Sequence, residues 1–205
     1  MQDPAGAGRG RPPWHPWRVV DRSFVAGYLG LAGFLGLEAA IRQPGGASSL
    51  EASRDDRGTT LTILSAYALA ATLAPLARRL PGPRLPAGAG RLGLGLEASG
   101  LLLRAWSMRT LGRAYTRTLR TEDRQQVVDA GPYALVRHPG YLGSVATWIG
   151  FAIASRSALV VAGVGALLGR AYGQRIDAEE ALLRRDLPGY RAYAERTWRL
   201  VPGVW

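Results

Sequence analysis

The sequence predicts an all-α integral membrane helical bundle of about five transmembrane helices, closed by a C-terminal helical hairpin with a polar site at its cytoplasmic end. Three observations carry this. Residues 23–41 and 61–77 are apolar on all sides, whereas a soluble helix of that length shows a polar face. The arginines fall between the apolar runs, as expected of membrane flanks. Two polar clusters, GPYALVRHPGY at 131–141 and QRIDAEEALL at 174–183, flank a short apolar hairpin.

Composition limits what such a site can contain. The 205 residues suffice for one domain or one compact helical bundle. The absence of cysteine excludes disulfides, thiolate metal sites, a cysteine nucleophile and cysteine lipidation. With only His15 and His138, no metal site is expected. All 26 basic residues are arginine, and lysine and asparagine are both missing. A GC-rich bacterial genome is a sufficient cause, which places the expected bundle in a bacterial inner membrane. A net charge of +11 suggests nucleic acid, but a nucleic-acid reader needs polar faces with interleaved charges and aromatics. No nucleic-acid partner is therefore expected.

Taken in order, residues 1–21 form a flexible N-terminal segment without a cleavage site, with Trp14 and Trp17 suited to a membrane interface. Residues 22–110 hold about three transmembrane helices: 23–41, interrupted by Glu38; 61–77, with Pro75 near its end; and 92–108, containing Glu97. Residues 111–205 form the C-terminal catalytic region. There the spans at about 141–154 and about 158–173 are short against the roughly 20 residues a bilayer requires, and a tight turn is expected at Ser155 to Ser157. Counting arginines outside the five spans, with Arg104 and Arg170 near span ends assigned to the side they approach, gives nine with the N-terminus and seventeen on the other side. The positive-inside rule then sets the N-terminus outside and both polar clusters in the cytoplasm.

In the first cluster, Gly131 and Pro132 supply a turn, and Pro139 holds His138 out of helical geometry while starting the next helix. The first amides of that helix, with His138 and Tyr141, can line a pocket for a polar or anionic group; the alternative is a plain loop-to-helix junction. In the second cluster, Arg175 and Glu179 share a helix face. That pair is either exposed and weak or turned inward towards a ligand. Glu180 points about 100° away and carries the blander expectation. Glu97 and Glu38, ionisable groups within candidate spans, are functional-site suspects; the alternatives are that Glu97 pairs with an arginine such as Arg104 and that Glu38 merely reaches the interface. Gly165 and Gly169 form a small-xxx-small pair that allows close helix packing.

Over about residues 105–205 the chain resembles the isoprenylcysteine carboxyl methyltransferase family of integral-membrane enzymes. The likeness rests on QQVVDAGPYALVRHPGYLG, QRIDAEEALL and PGYRAYAERTWRLVPGVW in the family's order and spacing. RHPxY alone is moderately specific; with GPY before it and RxxxE and YxxY after it, the combination is strong. The resemblance implies an S-adenosylmethionine cofactor, with S-adenosylhomocysteine as product, and no metal. It implies cofactor binding by Gln125, Val127, Val128, Tyr133, His138, Pro139, Gly140, Tyr141 and Glu179, and an acceptor-facing role for Arg175, with Arg175 and Glu179 forming the catalytic pair. The chain departs from the eukaryotic pattern at Leu187, Pro188 and Gly189, where a Phe-Gly pair would precede the tyrosines.

The expected activity is methyl transfer to a lipophilic acceptor at the membrane, at a carboxylate. Methylation of a phospholipid or other amine, an NADPH-dependent sterol-type reductase, and a non-catalytic membrane protein are the alternatives. A lipophilic acceptor and membrane lipid are the expected partners.

Overall fold

A computed structural model describes residues 22–40, 58–112 and 127–205. The chain is all-α: α1 (Arg22–Ala40), α2 (Thr59–Ala77), α3 (Ala89–Leu111), a 3-10 turn (Gly131–Ala134), α4 (Pro139–Ala154), α5 (Ala158–Asp186) and α6 (Tyr190–Glu195). Each of the five apolar runs falls on one of the first five helices. The last run does not stop with its apolar residues but continues through QRIDAEEALL as one helix of 29 residues. Trp14, Trp17 and Gln125 lie outside the described residues.

Among the described residues two helices, α1 and α2, are each long and apolar enough to cross a membrane. Their outward faces carry Leu29, Leu35, Leu61, Leu69, Leu73 and Leu76, all exposed, and α3 adds Leu92 and Leu102. Such a continuous apolar exterior is out of place on a water-soluble monomer. The interior is aromatic. Phe24, Tyr28 and Phe151 pack with ring centroids 4.9–5.5 Å apart, and Tyr67 stacks on Trp148 at 4.6 Å.

The α3–α4 pair is held by glycine. A Cβ on Gly100 would stand 2.5 Å from the Thr147 nitrogen, and one on Gly143 would stand 2.7 Å from the Gly100 carbonyl. Gly93 and Gly150 repeat the arrangement two turns along, a Cβ on Gly93 falling 2.6 Å from the Gly150 carbonyl. Backbone therefore meets backbone at both levels. Among the described residues Gly165 and Gly169 build no such contact: a Cβ on Gly165 would meet only Ile149 at 3.8 Å, and one on Gly169 nothing within 4 Å.

The two ends of the bundle differ. At one end the hairpin turns through Ser155, Arg156 and Ser157, as expected, and the loop after α2 clasps it: Leu85 N–H donates to the Arg156 carbonyl (2.9 Å) and Ala158 N–H to Pro83 (3.2 Å). Ser23 at the start of α1 donates to the Ala154 carbonyl at the same end. The polar clusters are left together at the opposite end.

Candidate active site

Local backbone chemistry sets the first cluster. Gly131 takes a positive φ of 55°, opening the 3-10 turn that Pro132 continues. His138 is held outside the helix (φ −122°, ψ 54°) and Pro139 is the first residue of α4. The loop is pinned from the far end of the chain. Val136 and Trp198 form a parallel bridge; Arg137 N–H donates to the Trp198 carbonyl (2.7 Å), His138 N–H to Arg199 (3.1 Å) and Trp198 N–H to Leu135 (3.0 Å).

The hairpin brings Arg175, Glu179, His138 and Tyr141 together. Arg175 Nε donates to the Tyr141 hydroxyl (3.0 Å), which donates to Glu179 Oε2 (2.6 Å). The Tyr141 hydroxyl thus bridges the two charged residues that helical spacing placed on one face. Arg175 Nη1 also donates to the hydroxyls of Thr59 (3.0 Å) and Thr60 (3.1 Å) at the start of α2. The His138 ring lies parallel to Tyr141 at 5.5 Å. Arg175 is 3 % exposed, while the Glu179 side chain is 26 % exposed and reachable from outside. Thr59 also lines a cavity of about 640 Å³ shared with Thr62, Arg170, Gln174, Asp177 and Ala178.

The other expected residues are spread around this group. Tyr133 is buried, and its carbonyl accepts from the Tyr193 hydroxyl (2.7 Å). Val127 packs under α6 against Leu187, Tyr190 and Tyr193, and Val128 is half-buried. Gly189, at a φ of 80°, turns the chain into α6 and so places both tyrosines beneath the loop.

The residue that sequence reasoning passed over is Glu180. It is 2 % exposed and is the most heavily bonded carboxylate of this end. Its Oε1 accepts from Arg137 Nε (2.7 Å), Tyr190 (3.2 Å) and His138 Nε2 (3.2 Å), and its Oε2 from Arg184 (2.9 Å). Burial by itself pushes its carboxyl up; the hydrogen bonds from His138 and Arg137 outweigh that and leave it well below the ordinary carboxylate range. Burial raises Tyr193 to about 12, so it remains a protonated donor at neutral pH. Arg137 continues the network, donating from Nη1 to the Ala194 carbonyl (2.7 Å) and to that of Thr197. The i,i+4 pair with Arg184 and the Tyr190 ten residues on were the available signals for Glu180.

Two further expectations are corrected. Arg104 pairs with Glu38, Nε to Oε1 at 2.5 Å, and not with Glu97. Glu97 lies seven residues from Arg104, about 10 Å along the same helix, and the guanidinium turns to Glu38. Instead Glu97 is buried against Gly27 and Gly30 of α1, where a Cβ on Gly30 would strike its carboxyl group. Glu38 does not simply face the interface but turns inward to Arg104.

Helical architecture, an apolar exterior and a polar site at one end define an α-helical membrane enzyme. Residues 93–185 match the isoprenylcysteine carboxyl methyltransferase (ICMT) family, and over that segment the chain is similar to that family of methyltransferases. It is 29 % identical over 166 residues to the probable protein-S-isoprenylcysteine O-methyltransferase of Oryza sativa subsp. indica, spanning 77 % of this chain and 87 % of the relative. It is 28 % identical over 114 residues to protein-S-isoprenylcysteine O-methyltransferase B of Arabidopsis thaliana, spanning 55 % and 57 %. The fold is similar to that of the eukaryotic intramembrane Ras methyltransferase ICMT, with a TM-score of 0.59 at 18 % identity over 91 % of this chain and 70 % of that one.

Proposed function

We propose that this protein transfers a methyl group from S-adenosylmethionine to a carboxylate of a lipophilic acceptor, with α1 to α5 crossing a bacterial inner membrane and the site facing the cytoplasm. The observation that carries this reading is the Arg175–Tyr141–Glu179 chain of hydrogen bonds beside His138. It offers one accessible carboxylate and one buried guanidinium joined by one hydroxyl, a donor set that fits a cationic cofactor on one side and an anionic acceptor on the other.

An acceptor carboxylate, with a reference pKa of about 4, is ionised at neutral pH and requires no general base. When bound, S-adenosylmethionine would supply an electrophilic methyl group on a positively charged sulfur, for transfer to the acceptor oxygen with S-adenosylhomocysteine left behind. The protein contributes orientation and exclusion of water. Glu179 would hold the amino group or positive charge of the cofactor; His138, Pro139, Gly140, Tyr141 and Tyr133, with Gln125, Val127 and Val128, would contribute the rest of its site. Arg175 grips the acceptor carboxylate through parallel hydrogen bonds, exchanging its threonine partners for acceptor oxygens. The cavity beside Thr59 has a volume suited to a small-molecule group.

Calorimetric titration of the detergent-purified protein with S-adenosylhomocysteine will show micromolar binding that Glu179→Ala loses by tenfold or more. Binding of NADPH in its place overturns the reading. Activity on a lipid carboxylate will be flat above about pH 6, where the acceptor is fully ionised; an activity that collapses as pH falls through an amine's pKa identifies N-methylation instead.

A further inference from the structure

A buried ion pair inside an apolar bundle demands a reason. Arg104 on α3 and Glu38 on α1 meet at 2.5 Å with side chains 8 % and 19 % exposed. Replacing such a pair by apolar residues of similar volume is commonly neutral or stabilising, so holding helices together does not explain it. The α3–α4 contact needs no help from it, because the glycine faces already bring backbone to backbone within van der Waals distance.

What Arg104 does besides meeting Glu38 is specific. Its Nη1 donates to the Gly140 carbonyl (2.9 Å) and to the Ser144 hydroxyl (2.6 Å). Ser144 in turn donates to the same Gly140 carbonyl (3.1 Å). Gly140 lies in the first turn of α4, between His138 and Tyr141, the two residues whose rings stack beside Glu179. The guanidinium is itself steadied over the Phe34 ring at 5.2 Å.

We propose that Arg104 is a positioning residue for the cofactor loop. From the α3 side it fixes the Gly140 carbonyl, and through it the direction in which His138 and Tyr141 face α5, while Glu38 fixes Arg104. The cofactor site is thereby set from the α1 side of the bundle by groups that do not touch the cofactor. This rests on the cofactor reading above.

The test separates positioning from simple support. Arg104→Ala will lower both thermal stability and S-adenosylhomocysteine affinity, the latter at least tenfold. The charge-swapped pair Glu38→Arg with Arg104→Glu rebuilds the ion pair but presents an acceptor, not a donor, to the Gly140 carbonyl. It will recover much of the lost melting temperature and leave the affinity at least tenfold weak, with the KM of the cofactor raised and that of the acceptor unchanged. Arg104→Lys keeps a charged donor and will bind within about threefold of the wild type. Wild-type affinity in the swapped pair, or in folded Arg104→Ala, overturns the proposal, as does an Arg104→Lys protein that folds but binds no better than Arg104→Ala. If the wild type itself binds no S-adenosylhomocysteine, the cofactor reading fails first; if the wild type binds and the variants bind equally, only the positioning role falls.

Discussion

Glu180→Ala will destabilise the site end of this protein by about 3–5 kcal/mol, the usual consequence of removing one partner from a buried charged cluster. Arg137 and His138 would be left facing each other and Arg184 around an empty space, with Tyr190 losing its acceptor. For a chain of this size that corresponds to a fall in melting temperature of roughly 6–20 °C. Because Glu180 and not Glu179 organises the loop, the variant will also lose S-adenosylhomocysteine binding although Glu180 lies outside the cofactor's expected contacts. Glu180→Gln will fall between the wild type and alanine. The sign of the pH dependence follows from the carboxyl being held below its ordinary value of about 4.3. Its contribution is complete above that value and is lost as the pH falls towards the folded-state pKa. Thermal melting of the wild type in detergent will therefore lose stability below about pH 4. Glu180→Gln will lack that component of the loss. An unchanged melting point in Glu180→Ala would contradict the central place given to this residue.

The second large effect concerns glycine. Gly100→Leu places a side chain where a Cβ already stands 2.5 Å from a backbone nitrogen. No rotamer change relieves a clash with backbone, so α3 and α4 must separate. The expected cost is about 3 kcal/mol or more, at the upper end of overpacking effects. Gly169→Leu is the matched control, since its Cβ meets nothing within 4 Å; its effect should stay within about 0.5 kcal/mol. Melting curves of the two variants, run side by side, decide the point, and equal destabilisation would remove the case for a glycine-built interface.

These two residues also mark what could be read in advance. Hydropathy located all five long helices, because a run of apolar residues is a local property. Pro139 located the start of α4, because proline restricts the backbone wherever it occurs. Which of two adjacent glutamates turns inward is not local. Glu179 and Glu180 differ by about 100° of helix rotation, and the partners that settle the matter, Arg137 and His138, lie 43 and 42 residues away. The glycine interface was more accessible than it looked. Gly93 and Gly100 repeat the seven-residue spacing of Gly143 and Gly150 on the neighbouring run, and this shared interval was the signal. The four-residue spacing of Gly165 and Gly169 marks a face that packs closely on no other described helix of the chain. Arg104 shows the same limit: its nearest sequence candidate, Glu97, is on its own helix, while its partner Glu38 is 66 residues away.

The bridge between Val136 and Trp198 has a consequence for biosynthesis. The loop leaves the ribosome 62 residues before the strand-like segment that pins it. At about 5–20 residues per second, that is an interval of roughly 3–12 s. During it the α4–α5 hairpin is made, which on the proposed topology enters the membrane, but the segment around His138 lacks the backbone partners that hold it in place. A ribosome stalled after α5 has emerged and before Trp198 would carry the helices without a finished catalytic end. Membrane insertion and acquisition of activity are therefore separable events in time, and arrest at chosen chain lengths would resolve one from the other.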